Sequence, residues 1–386
     1  MAGITFLFTG QKYLAIFGAL YLGLVCLLAI PFFQGHALYL NSVRIPLFSD
    51  YATPEKYGLA PNRTLNLKIR TSDNETLGAW FVLSDPYYRS LSTIPSDVSK
   101  HVKFALAAGP VVLFFHGNAA TRAFSARVRH YQAFGSRLGA SVLAIDYRGF
   151  ADSTGTPSEA GLTRDAKAAF NWLVEHGKKP EEILIAGHSL GSGVSGQLGA
   201  ELSRDGITPK GIVLLSPFSS IREVLETYQM FGFIPLIKPL SVIPGALRLV
   251  QRLLIHRFDT LQAVPNITAP VLIAHAENDW DIPHSHSDVL FEAFLDPLLP
   301  PVDLALEPFS MSESLWLKIT EQQAARKAKR GEIVSTQTLP KFGTLQSFSD
   351  KGRKVVLVKT LAGAHDYLGV QEGLVDIIGK TFGILV

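Results

Sequence analysis

From Tyr13 to Phe33 the chain carries no charged residue, and the next formal charge is Arg44. A run of that length is enough to cross a bilayer as one helix. A secretory signal would have an apolar region of about 7–15 residues ending at a small-residue cleavage site. This run is longer and leaves through Pro31-Phe32-Phe33-Gln34, so the pattern predicts an uncleaved anchor within residues 1–40. Beyond it the period changes. Residues 64–71 alternate, with Leu65, Leu67 and Ile69 on one face, and Leu77 to Leu83 is again strand-like. Together they predict an antiparallel pair at a sheet edge. The polar stretch Ser84 to Lys103 reads as a loop.

Short apolar runs then recur between helix-length segments: Val111 to Phe115, Val142 to Ile145, Ile183 to Ala186, Ile212 to Leu215, Val271 to Ala274 and Val355 to Val358. Such runs, apolar without alternation, are strands covered on both faces, and helices between them make the sheet parallel. Thr156-Pro157-Ser158-Glu159 reads as a capping box with proline at the first helical position, opening a helix through Ala168, Phe170 and Leu173. Two stretches interrupt the rhythm. Residues 222–260 are rich in large apolar side chains (Phe231, Phe233, Leu236 and Ile237 among them) but are broken by Pro235, Pro239 and Pro244. A core helix would not carry three prolines. The pattern predicts a mobile cap with an apolar underside for an acyl chain or for membrane contact. Residues 297–351 open on Pro297-Leu298-Leu299-Pro300-Pro301 and contain a predicted helix from Trp316 to Lys329, with no functional assignment.

Composition narrows the reading. A chain of 386 residues, 47% hydrophobic and 10% aromatic, has room for one large core, placed here at residues 41–386, beside a membrane-facing part. The net charge of +3, without a long basic run, gives no purchase on nucleic acid. Cys26 is the only cysteine and lies in the apolar run, so there is no intramolecular disulfide and no Cys/His metal cluster. Lys12 on one side of the anchor against Arg44 and Lys56 on the other leaves orientation open. Three sequons, at Asn62, Asn74 and Asn266, stand where chance would give about one, and favour a lumenal or extracellular body.

The chemistry sits at the strand ends. Ile183 to Ala186 runs into Gly187-His188-Ser189-Leu190-Gly191. In G-x-S-x-G the serine occupies a sharp strand-to-helix turn, and glycines flank it because a Cβ there would collide with the adjoining strand and helix. A nucleophilic serine needs a base and a carboxylate to hold that base. In α/β-hydrolases these follow in the order Ser, acid, His, which sets aside Asp146, Asp152, His116 and His188. Of the later histidines, His284 and His286 would ride on the helix after the acid, whereas His365 follows the last strand and is the base. Glu277, Asp279 and Asp281 compete for the acid in one loop, and Asp279, four residues before Pro283, is preferred. The oxyanion hole combines the Leu190 N–H with that of Asn118, Ala119 being second choice. His116 and His188 read as structural hydrogen-bonding groups, Asp146 and Arg148 as a buried turn network, and Asp152 as a loop cap. No metal or cofactor is needed.

These segments resemble a known family. HGNAATRA, DYRGFADSTGTPSEAGLTRDA, GHSLGSGV, SPFSSIRE and HAENDWDIP are similar to the monoacylglycerol and lysophosphatidylserine lipase branch of the α/β-hydrolase-domain proteins, which are membrane-anchored serine hydrolases. The resemblance runs from about Leu77 to Phe294 and resumes near His365. It implies an α/β-hydrolase fold with a cap and an N-terminal membrane helix, Ser189 as nucleophile, Asp279 as acid, His365 as base, and a lumenal or extracellular body, with the endoplasmic reticulum as the expected membrane. The chain departs from the family in reading HGNAA, with Ala120, where relatives have HGNAG. The expected activity is hydrolysis of the carboxylic ester of a single-chain lipid, a monoacylglycerol or a lysophospholipid. A protein depalmitoylating thioesterase shares the triad but would face the cytosol. A silent lipid-binding scaffold would have no need of all three residues. No histidine opens a His-x4-Asp pattern, which argues against an acyltransferase.

Overall fold

The structure is a computed structural model describing residues 2–227, 229–230, 234–235, 240, 242–302 and 313–385. It begins with α1 (Ala2–Leu28) and α2 (Pro31–Tyr39), then β1 (Thr64–Arg70), β2 (Thr76–Val82), α3 (Asp85–Ser90) and α4 (Val102–Ala108). The alternating part follows: β3 (Val111–Phe115), α5 (Ser125–Arg137), β4 (Ser141–Ile145), α6 (Glu159–Glu175), β5 (Ile183–His188), α7 (Leu190–Arg204) and β6 (Gly211–Leu215). An excursion holds α8 (Ile221–Thr227), the short strands β7 (Gln229–Met230) and β8 (Ile234–Pro235), α9 (Ala246–Arg252) and α10 (Thr260–Ala263). The chain closes with β9 (Val271–Ala276), α11 (Ser285–Leu295), α12 (Glu313–Ile333), β10 (Ser335–Leu339), β11 (Gly343–Asp350), β12 (Arg353–Thr360) and α13 (Glu372–Thr381).

One ten-stranded sheet organises these elements, in the order β1-β2-β4-β3-β5-β6-β9-β12-β11-β10. The six apolar runs are its six parallel strands, β4-β3-β5-β6-β9-β12, and antiparallel strands finish both edges. Alternate residues of each parallel strand enter two separate cores. Leu113, Ile185 and Ile273 face α6, α7 and α11, whereas Phe114, Leu184 and Leu272 face α5 and α13. Both faces are dry because right-handed crossovers lay helices on both sides. β3 lies between β4 and β5, so the connections leaving β3 and β5 diverge there. The loops after those two strands therefore open a crevice at the carboxyl edge.

Several local expectations are revised. Residues 84–103 are not all loop: the Ser84 side chain accepts the Tyr87 N–H and caps α3, and α4 begins at Val102. Helix α6 starts at Glu159, two residues later than the capping box implied. Ser158 is the N-cap, accepting from the Gly161 N–H at 3.1 Å. Pro157 stays outside the helix because its ring packs over Gly149, where even an added Cβ would lie only 2.6 Å from Pro157 Cδ. Residues 297–351 are also more than a helix. Besides α12 they supply β10 and β11, which pair onto β12 and extend the sheet, with the Phe348 ring packed edge-on against Phe291 at 5.2 Å.

Among the described residues, one helix is long and apolar enough to cross a membrane, over Gln11–Leu28. The apolar run to Phe33 is not a single helix. At Ile30 the backbone is extended, and Pro31, which has no N–H to donate, opens α2 in a new direction. From Gln11 on, most described side chains of α1 are exposed, while Tyr21, Val25 and Leu28, with Ala29 just beyond its end, are partly covered and lie on one helical face. After α2 the chain lies along the loop that follows β3. Ala119 N–H donates to Tyr39 O at 2.8 Å, Ala120 to Val43 O at 2.7 Å and Thr121 to Ile45 O at 3.2 Å. Of the cap segment, Phe231, Phe233, Leu236, Ile237 and Pro239 lie outside the described residues. Leu240 is buried, while Val242, Ile243 and Leu249 are exposed.

Candidate active site

Ser189 stands between β5 and α7 with φ 52° and ψ −120°. A non-glycine residue holds such angles only where its surroundings over-determine them. Here its N–H donates to Leu215 O at 3.0 Å and its own carbonyl accepts from Ser192 Oγ at 2.6 Å. The flanking glycines are steric necessities. A Cβ on Gly187 would run into Gly191 O and Ser195 Oγ, and one on Gly191 into Phe115 O. The turn leaves Ser189 at the floor of a cavity of about 440 Å3 that His365, Leu190 and Asn118 also line.

His365 follows β12, and its Nδ1 is 2.8 Å from Asp279 Oδ2. Asp279 is fixed from several sides. Oδ1 accepts the N–H groups of Asp281 and Ile282 at 3.0 and 2.9 Å, and Oδ2 lies 3.2 Å from His275 Nε2. Burial favours protonation of Asp279, but the His275 and His365 hydrogen bonds and their charges outweigh it, so its pKa falls well below the usual carboxylate range. Burial likewise works to lower the His365 pKa. The Asp279 hydrogen bond and charge, with Asp281 and Asp366 nearby, overcome it and raise the value. Asp281, the rival acid, lies beside the pair at the cavity wall and makes no hydrogen bond to His365. Burial raises its own pKa. Among the described residues the Ser189 hydroxyl has no hydrogen-bond partner. In ligand-free hydrolases the serine–base contact commonly closes only with substrate.

The Leu190 N–H at the start of α7 and the Asn118 N–H after β3 are without partners among the described residues. Both border the cavity beside Ser189. Ala119, the second candidate, is committed elsewhere because its N–H donates to Tyr39 O. The loop is held from behind by Arg127, whose Nη2 donates to Gly117 O and Asn118 O at 3.0 Å and to Ala119 O at 2.6 Å. Three carbonyls drawn onto one buried guanidinium fix the peptide planes on either side of Asn118, whose N–H is left without a partner among the described residues. Ala119 and Ala120 take φ of 53° and 50°. Ala120, the departure from the family's glycine, thus stands in a backbone region that glycine enters at less cost.

The other residues singled out from the sequence fall around this centre. His188 Nε2 donates to His365 O at 2.8 Å, and Ser216 Oγ donates to the same carbonyl at 3.2 Å, so together they set the height of the base. Burial, then the neighbouring His365 and His130, keep the His188 pKa well below that of a free imidazole. His116 packs at a tilt against Tyr147 and lies 3.3 Å from Asp146, outside the cavity lining. His284 is at the N-terminus of α11 near Asp288, and His286 contacts Ser219 at 2.9 Å; neither approaches Asp279 more closely than His365 does. Asp146 and Asp152 share Arg122, while Arg148 joins Asp73 to Asp165. Glu277 is exposed at the start of its loop. Sequence reasoning missed Arg127, Arg122, His275 and Asn278, whose Oδ1 accepts the Ala364 N–H and fixes the turn before His365.

Comparison with known proteins bears on the family and the fold. A profile of the alpha/beta hydrolase family matches residues 112–328. Lysophosphatidylserine lipase ABHD12 of Danio rerio is 34% identical over 267 residues, 68% of this chain and 66% of that protein. The protein of the same name from Xenopus tropicalis is 32% identical over 71% of this chain and 69% of its own length. Protein ABHD12B of Homo sapiens is 32% identical over 66% and 68% of the two chains. The chain thus spans about two thirds of the length of these relatives. Among solved structures, an alpha-beta hydrolase from Vibrio vulnificus superposes with a TM-score of 0.54 at 17% identity, over 91% of this chain and 94% of that one. An esterase of Pyrococcus furiosus reaches 0.50 at 16%, over 88% and 97%.

Proposed function

This chain belongs to the alpha/beta hydrolase family, and on that premise we propose that it is a membrane-anchored serine hydrolase that cleaves the carboxylic ester of a single-chain lipid. Ser189 is the nucleophile, His365 the base and Asp279 the carboxylate that orients it. The observation that carries the reading is the 2.8 Å contact of His365 Nδ1 with Asp279, in a cavity that also holds Ser189 and two N–H groups without a partner among the described residues. Ser189 Oγ adds to the ester carbonyl carbon as its proton passes to His365 Nε2, and the oxyanion takes the Leu190 and Asn118 N–H groups. Collapse expels the alcohol, which takes that proton. Water then enters by the same route, releasing the fatty acid and regenerating Ser189.

The relatives' name, lysophosphatidylserine lipase, points to lysophosphatidylserine as substrate, and the cavity's largely aliphatic lining supports a single alkyl chain with either a lysophospholipid or a glycerol headgroup. We place residues 1–40 as the anchor and 41–386 as the hydrolase body, on the lumenal side of the endoplasmic reticulum. The family resemblance supports this placement, as does the exposure of Asn62, Asn74 and Asn266. The test is a panel of monoacylglycerols, lysophospholipids and a palmitoyl-cysteine peptide, offered to the purified protein and to Ser189→Ala. Hydrolysis of single-chain oxygen esters by wild type alone is expected. Cleavage of the thioester with every oxygen ester left intact would replace this reading by the depalmitoylating one.

A further inference from the structure

The cavity above Ser189 is not enclosed by the hydrolase body alone. Besides Ser189, His365 and Asp281, its lining takes in Leu28 and Ala29 at and just past the end of α1, Leu38 of α2, and Val250, Leu253 and Leu254 at and just past the end of α9. Leu28 is the last residue of the helix that is apolar enough to span a bilayer. One buried side chain closes the corner where these pieces meet. Gln34, only 8% exposed, donates from Nε2 to Leu28 O at 3.1 Å and to Leu253 O at 3.2 Å, and its Oε1 accepts the Ile255 N–H at 2.7 Å. The two carbonyls are groups that the C-terminal ends of α1 and α9 would otherwise leave open, and the Ile255 N–H lies just beyond α9. The amide therefore ties the exit of the membrane helix to the segment after α9 at the edge of the cavity. Ile30, Phe33, Leu249 and Leu253, all more than 40% exposed, continue the apolar surface around this corner.

We propose that this corner is a lateral portal: the alkyl chain of the substrate passes from the leaflet in which α1 ends, between Leu28-Ala29 and Val250-Leu254, into the cavity above Ser189. The inference rests on the lipid-ester reading of that site. The occupant is an alkyl chain because the lining at this end is aliphatic and is continuous with the residues that end the membrane span. A chain following this path stays against apolar surface throughout, whereas a chain delivered through water would expose every methylene before reaching the serine. Gln34 acts as a positioning residue that holds the two sides of the portal in register.

Two experiments on the full-length protein in phosphatidylcholine vesicles test it. Ala29→Phe places a ring at the rim, and turnover is compared on a long-chain monoacylglycerol in the bilayer and on p-nitrophenyl butyrate in water. The ratio of the two rates is expected to fall at least about ten-fold relative to wild type, and a smaller change overturns the portal. Should the variant fail to fold, wild type decides the matter with an alkyl fluorophosphonate carrying a diazirine at the end of its chain. After reaction at the serine and irradiation, crosslinks are expected on peptides containing Leu28-Ala29 or Val250-Leu254. Crosslinks confined to other peptides overturn the portal alone. Labelling that survives Ser189→Ala overturns the ester reading and the portal with it.

Discussion

At the scale of single residues, Asp279 and Arg127 each fix the geometry of a group that the proposed mechanism brings to the substrate. Asp279 holds the His365 pKa above that of a free imidazole against the opposing effect of burial, and the base works only when neutral. Activity is therefore expected to fall with decreasing pH through a limb centred above about 6.5, the unperturbed histidine value. Asp279→Asn removes the counter-charge, so the limb is expected to move to lower pH while kcat drops by up to about 10^4-fold as the tautomer is lost. A kcat/KM profile from pH 5 to 9 checks both. Arg127 holds three carbonyls of the loop after β3. Arg127→Met is expected to lower kcat by roughly 10^2-fold, the scale of losing one oxyanion donor, with KM little changed. Lysine at this position would not rescue it, because a single ammonium lacks the planar fork. Equal activity of Arg127→Met and wild type on a soluble ester would remove the residue from the oxyanion loop.

The elements differ in how openly the sequence announces them. The parallel strands were legible because burial on both faces demands unbroken apolar runs, and the elbow because no Cβ fits at Gly187 or Gly191. β10 was not. Ser335–Leu339 lies at a sheet edge with nearly every side chain exposed, so it has neither alternation nor an apolar run. α3 is little more than one turn, and its signal lies in the Ser84 cap rather than in any periodicity. Of the proposed site, Ser189, Asp279 and His365 stand out in the sequence because chain order prunes the candidates, and the structure lines one cavity with Ser189 and His365 and hydrogen-bonds His365 to Asp279. Arg127 and His275 could not, since what they do depends on contacts that no spacing encodes. The strands added by residues 297–351 also make a prediction. Phe348 is 4% exposed and packs on Phe291, so Phe348→Ala is expected to cost about 3–5 kcal/mol in denaturant unfolding. Fluorophosphonate labelling of the fraction that stays folded is expected to remain, because β11 lies beyond β12 from the serine. Loss of labelling without loss of stability would tie this extension to the chemistry instead.

For the molecule as a whole, the segment that follows the N-terminal apolar helix is hydrogen-bonded to the loop after β3. Asn62, Asn74 and Asn266 are all exposed on the body. If that body is lumenal, glycosidase treatment of the membrane-expressed protein is expected to shift its gel mobility, and replacing the three asparagines is expected to abolish the shift. Digestion of the body by protease added outside sealed microsomes, with no glycan on any of the three, would put the active site in the cytosol. The hydrogen bonds from Ala119, Ala120 and Thr121 to Tyr39, Val43 and Ile45 also decide where the chain can be shortened to make a water-soluble enzyme. A cut just ahead of Pro31 removes the long apolar helix and leaves those three carbonyls in place, so a protein starting there is expected to react with a soluble fluorophosphonate. A cut after Ile45 keeps every strand of the sheet but strips the partners from the loop that carries Asn118. That shorter protein is expected to fold, to stay in solution, and to react slowly or not at all.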